Sequence, residues 1–93
     1  MGKANLSLLA VYLKEKRLSA GLSQGDVSKK LGYTSPQFVS NWERGLSEPP
    51  IVTTKKLAAI YDIPIDEMYD VILNSTIRRL TNELRRKFDG KKK

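Results

Sequence analysis

Cysteine and histidine are both absent from the 93 residues. Without cysteine there can be no disulfide, no thiolate zinc site and no thiol nucleophile. Without histidine the commonest general base and the commonest nitrogen ligand for metals are missing as well. Glycine and proline are few, six and four respectively. No glycine-rich phosphate loop and no convincing carboxylate pair can be found, so the sequence argues against an enzyme and implies neither cofactor nor metal. Asp66 and Asp70 share a helix face at i,i+4, and surface charge explains them. There is no run of 18 apolar residues and no signal-peptide pattern, so no membrane partner is expected and a cytoplasmic location is.

Acidic residues are in short supply: ten Asp/Glu stand against 17 Lys/Arg, for a net charge of +7. An anionic partner is therefore expected. The surplus is concentrated at one end, because residues 78–93 hold eight Lys/Arg and only two Asp/Glu. That run is either a solvated polar face, with Asp66, Glu67 and Asp70 neutralising part of it, or a source of non-specific phosphate affinity through counterion release.

Apolar residues make up 40% of the chain, enough for the core of one small domain. They recur at helical rather than strand spacing. Leu6, Leu9, Ala10, Leu13 and Arg17 predict a first helix, ended by the "SAG" at 19–21. Ser23 with Asp26 three residues later resembles a capping box that opens a short second helix. Val27 and Leu31 form its buried face and Gly32 closes it. A third helix is predicted from Ser35 as N-cap and Pro36 at the first position to about Arg44, with Gly45 as its left-handed end. After the extended "SEPP", residues Ile51, Thr54, Leu57, Ala58 and Tyr61 mark a fourth helix. From Ile65 the periodic pattern runs on to Phe88, either as one long or slightly kinked helix or as two helices parted near Asn74 and Ser75.

On a helical wheel the third helix has two unlike sides. Val39 and Trp42 lie together with Phe38 at their edge, and both aromatic residues are expected in the core. Pro36, Gln37, Ser40, Asn41 and Arg44 lie on the other side, where there is no carboxylate and no long aliphatic residue. Amides at i and i+4 point the same way. Each can pair bidentately with an adenine edge in the DNA major groove, with Ser40 as a small donor and acceptor between them. Arg44 stands where the helix would leave the groove, in reach of a phosphate. The preceding short helix, its closing glycine and the polar turn supply the rest of a helix-turn-helix. The same outer face would also serve as ordinary solvated surface.

Taken together, Arg17, "GLSQGDVSKKLG" at 21–32, "WERG" at 42–45, Pro49 and "LAAIYDIP" at 57–64 resemble the phage repressor/Cro-type, or XRE, helix-turn-helix domain over about residues 8–73. The resemblance implies an all-α five-helix bundle whose second and third helices form the helix-turn-helix. It implies that Gln24 anchors on a backbone phosphate, that Gln37, Asn41 and Pro36 touch base edges, and that Arg17 and Glu43 form an internal ion pair. Ser23, Thr34, Ser35, Arg44, Lys55 and Lys56 complete the expected phosphate contacts, and Ser40 the base contacts. The turn between Gly32 and Val39 is one residue longer than in many members.

These readings divide the chain into an N-terminal arm at 1–5, the DNA-binding domain at 6–73, an amphipathic helical extension at 74–88 and a basic disordered tail at 89–93. On the extension, Leu73, Ile77, Leu80 and Leu84 form a seam about two heptads long. It can dimerise the domain or fold back on its core, and family members usually bind two-fold sites as dimers. The expected function is a sequence-specific regulator of double-stranded DNA, a nucleoid-associated repressor acting as a homodimer. The alternative is a protein-interaction module, such as an antitoxin-type protein whose extension holds a partner.

Overall fold

The structure is a computed structural model and describes residues 6–89, all of whose regular elements are helices. The arm at 1–5 and tail residues 90–93 lie outside the described residues. The helices are α1 (Leu8–Ser19), α2 (Gln24–Leu31), α3 (Gln37–Glu43), α4 (Ile51–Ile60) and α5 (Ile65–Asp89). The fold is thus the expected all-α bundle with a C-terminal helical extension.

Each boundary has a local cause. The Ser7 hydroxyl accepts from the Ala10 amide at 3.0 Å, so α1 starts two residues after Leu6 and not at it. In α2 the Ser23 hydroxyl accepts from the Asp26 amide while the Asp26 carboxylate accepts from the Ser23 amide, both at 2.9 Å. Those reciprocal bonds satisfy two amides that the helix itself leaves free. Gly45, at φ +75°, turns the chain after α3, where a Cβ would come within 3.2 Å of Leu6.

The start of α3 differs from the sequence expectation. Pro36 is the N-cap and Gln37 the first helical residue. The Ser35 hydroxyl accepts from the Gln37 amide at 3.3 Å, two residues on. Because proline donates no amide hydrogen bond, Ser35 meets the first available donor beyond it.

Leu9 and Leu13 of α1, Val27 of α2, Val39 and Trp42 of α3, Leu57 and Ala58 of α4, Tyr61 and Met68 make one core. Of the residues that marked α4, Ile51 is exposed while Thr54 is buried, and Thr53, not among them, is buried as well. Phe38, expected in the core, is also exposed and rests on the Tyr33 ring with centroids 4.8 Å apart. Tyr33, from the turn before α3, packs on the core edge-on to Trp42, and Phe38 also lies beside Trp42 with centroids 6.5 Å apart.

α5 is one unbroken helix of 25 residues, the long-helix alternative, with no sixth helix parted from it near Asn74 and Ser75. Asp89, placed in the tail by sequence, is its last residue. Buried Ser75 accepts from the Leu9 amide at 3.3 Å, satisfying another free donor in the first turn of α1. Beyond Ser75 the helix projects from the bundle. At about 1.5 Å per residue α5 is roughly 37 Å long, which accounts for the 47 Å long axis of the molecule. The seam residues do not fold back on the core. Among the described residues, Glu48 pairs with the basic run, at 3.6 Å from Arg79. Glu67, one of the acids expected to do so, instead accepts from Tyr12 at 2.6 Å and lies 3.6 Å from Lys16.

Candidate nucleic-acid interface

α3 has only seven residues, too few to be stable alone. Its inner side holds it in place. Val39, Trp42 and Glu43 are buried, the first two in the apolar core and the third in a charged cluster. Arg17 of α1 reaches Glu43 with two parallel bonds, Nε to Oε2 at 2.7 Å and Nη2 to Oε1 at 3.0 Å. Its Nη1 donates to the Leu22 carbonyl at 2.9 Å. Gln24 of α2 donates through Nε2 to Glu43 Oε1 at 2.9 Å. One carboxylate therefore ties α1, α2 and α3 together.

Hydrogen bonding to Glu43 raises the Arg17 guanidinium above its ordinary pKa against the opposing effect of burial. The cation therefore persists at every pH the fold tolerates. Burial raises the Tyr61 phenol next to this cluster, with the Glu43 charge adding to it.

The outer side of α3 carries a connected polar ridge. Gln37 Nε2 donates to Asn41 Oδ1 at 2.9 Å, and Arg44 Nη2 donates to the same oxygen at 3.0 Å. Gln37 and Arg44 are exposed, and Asn41 and Ser40 half-buried. This arrangement assigns different capacities to the two amides. Gln37 keeps its oxygen and one N–H free, as a bidentate pair with adenine requires. Asn41 has its oxygen engaged twice and offers two N–H donors, which fit base acceptors such as guanine O6 or thymine O4. Sequence alone suggested the same bidentate use for both.

The structure distributes the other candidate residues over four places. Ser23, Thr34, Ser35 and Pro36 line one cleft of about 270 Å³ between the start of α2 and the turn before α3. Lys29 lines it too, bringing a positive charge that sequence reasoning did not select. Its signal was available, since Lys29 lies two residues past the buried Val27 and so on the exposed side of α2. Gln24 is half-buried in the Glu43 cluster, a role that its spacing did not disclose. Lys55 and Lys56 are exposed on α4, on the side away from Leu57 and Ala58. Ser28 Oγ, also lining the cleft, is a buried hydroxyl without a hydrogen-bond partner among the described residues. Leu73, Ile77, Leu80 and Leu84 are all exposed along α5.

Among the described residues no group of His, Cys, Asp or Glu could hold a metal ion. No helix there is long and apolar enough to cross a membrane.

Comparison with known proteins agrees with this architecture. A family model described as Helix-turn-helix matches residues 13–68, more than half of the chain, spanning α2, α3 and the Arg17–Glu43 pair. No curated protein and no solved structure matches. The family is one of DNA-binding regulators and not a catalytic one. A buried clamp behind α3, a polar ridge in front of it and the family match converge: the chain belongs to the XRE-type helix-turn-helix family of DNA-binding transcriptional regulators.

Proposed function

We propose that this protein is a sequence-specific repressor that lays α3 in the major groove as a homodimer. The Gln37–Asn41–Arg44 ridge carries the reading, because it projects from a helix whose opposite side is fully committed to the core. Gln37, Ser40 and Asn41 read base edges, and Pro36 offers apolar contact to a thymine methyl. Ser23, Thr34, Ser35, Arg44, Lys55 and Lys56 meet the phosphates, and Gln24 adds its remaining N–H to one of them while braced by Glu43. Leu73, Ile77, Leu80 and Leu84 join the two subunits. Repression then follows from occluding a promoter, and the protein works in the cytoplasm on the nucleoid.

A binding selection from random duplexes at fixed salt tests this. The expected product is a two-fold symmetric site. Gln37→Ala should lose roughly 1–3 kcal/mol of discrimination at one base pair per half-site and leave the others intact. An enriched pool with no shared motif refutes the proposal.

The exposed seam on α5 also fits a second reading, in which the extension holds another protein, as an antitoxin holds its toxin. Truncation after Thr76 spares Ser75 and removes most of the seam. If that truncation releases a partner protein while Gln37→Ala leaves the biological activity unchanged, the second reading stands.

A further inference from the structure

The apolar seam on α5 turns away from the protein's own core. On a helix that advances about 100° per residue, Leu73, Ile77, Leu80 and Leu84 lie opposite buried Met68 and Ser75. They are 42%, 50%, 48% and 57% exposed, so the bundle that α5 belongs to does not cover them. Their spacing is four, three, four. Three residues further out at either end, the same line carries Asp70 and Lys87. The spacing of the series is the same read forwards or backwards, so two copies can align it in parallel or head to tail. The apolar layers alone do not choose between these.

The charged ends do. In a parallel pair each seam residue faces its own counterpart, which sets Asp70 against Asp70 and Lys87 against Lys87. In an antiparallel pair Leu73 faces Leu84, Ile77 faces Leu80, and Asp70 faces Lys87 twice over. Neither Asp70 nor Lys87 has an ion pair within the chain among the described residues. Opposite charges at the edge of an apolar seam set orientation and register, because the wrong pairing places like charges together.

We propose that two copies pair their α5 helices antiparallel, about a two-fold axis between residues 78 and 79, with Asp70 of each copy against Lys87 of the other. This rests on the homodimer reading above and adds its orientation and register. It places the two bundles at opposite ends and on opposite sides of the helix pair, related by the two-fold axis that a symmetric duplex site requires.

The absence of cysteine makes the test clean. Leu73→Cys and Leu84→Cys chains are oxidised separately and as a mixture. Head-to-tail pairing holds each residue about 16 Å along the axis from its own counterpart, eleven residues at about 1.5 Å each, beyond disulfide reach. The expected result is a 73–84 disulfide in the mixture and no cross-link in either variant alone. Efficient cross-linking of each variant alone, or a dimer that cross-links in neither experiment, overturns the antiparallel register and leaves the homodimer standing. A wild-type chain that sediments as a monomer at about 100 µM, where contacts between subunits of a stable dimer are populated, overturns both.

Charge exchange gives an independent reading at exposed positions that the fold does not need. Asp70→Lys should weaken dimerisation roughly tenfold by setting Lys against Lys at both ends, and Asp70→Lys with Lys87→Asp should restore it. Failure of the double variant to recover refutes the register.

Discussion

Replacing Arg17 with methionine isolates the energetics of the charged clamp. The substitution keeps the length and most of the volume of the side chain but removes the guanidinium. Glu43 is then left with the single donor from Gln24, although its side chain is only 3% exposed. Stripping one partner from a buried pair costs about 3–5 kcal/mol, because the remaining charge is neither solvated nor paired. The Leu22 carbonyl also loses its bond from Nη1. A domain of this size has about 5–15 kcal/mol of stability in all. At roughly 4–8 °C per kcal/mol, Tm should fall by at least about 12 °C.

The diagnostic variant is the double one, Arg17→Met with Glu43→Leu. Removing both charges abolishes the desolvation cost along with the attraction, so a buried pair exchanged for apolar residues is often neutral or better. The Leu22 carbonyl and Gln24 remain without their partners, and a deficit of about 1–2 kcal/mol is expected from those two bonds. The double variant should therefore be more stable than Arg17→Met alone. Urea unfolding followed by far-UV circular dichroism and by fluorescence of Trp42, the one tryptophan, measures all three proteins. If Arg17→Met loses less than about 1 kcal/mol, or the double variant is the weaker, the clamp does not hold α3 in the manner described.

Two further outcomes follow from the same geometry. Hydrogen bonds from the Ser23 backbone and hydroxyl hold the Asp26 carboxyl below its ordinary pKa. Its stabilising effect is therefore complete above the unfolded value of ~3.9 and is lost as pH falls through the lower folded value. The stability gap between wild type and Asp26→Asn should be open at pH 7 and close in acid; a gap unchanged by pH contradicts the capping role. Ser28→Ala removes a buried hydroxyl without a partner, and should raise stability by about 1 kcal/mol in urea titrations, since an unmade bond costs its desolvation. A loss of stability there would show that the hydroxyl has a partner in solution.

Much of the fold could be read because its signals are local. The alternation of Leu9, Leu13, Val27, Val39, Trp42, Leu57 and Met68 at helical spacing marks the core, and the Ser23–Asp26 box and the left-handed glycines at 32 and 45 mark helix ends. What escaped depends on long-range partners. Ser75 is buried because the first turn of α1 needs an acceptor there, 66 residues away in sequence. Gln24 turns inward because a buried carboxylate on another helix has room for a third donor. Phe38 lies exposed against Tyr33, which the turn brings onto the core from outside the helix. At the site, wheel geometry was enough to place Gln37, Asn41 and Arg44 on one side. It could not show that Arg44 and Gln37 share one oxygen of Asn41 and so give the two amides different hydrogen-bonding capacities.

The two sides of α3 also separate what can change from what cannot. Within seven residues, Val39, Trp42 and Glu43 are buried, while Gln37 and Arg44 stand exposed at either end with Ser40 and Asn41 half-buried on the outer side. Replacing an exposed polar side chain alters stability by no more than about 0.5 kcal/mol, whereas truncating a buried aromatic or stranding a buried charge costs several times that. Gln37 and Arg44 can therefore be exchanged for other residues without loss of the fold. The orientation of that outer face is set elsewhere, by Arg17 and Gln24 acting through Glu43. If α3 lies in the groove as proposed, a change in Gln37 should alter which duplex is chosen, and a change in Arg17 should alter how well every duplex is held, because it loosens the helix beneath all the proposed contacts at once.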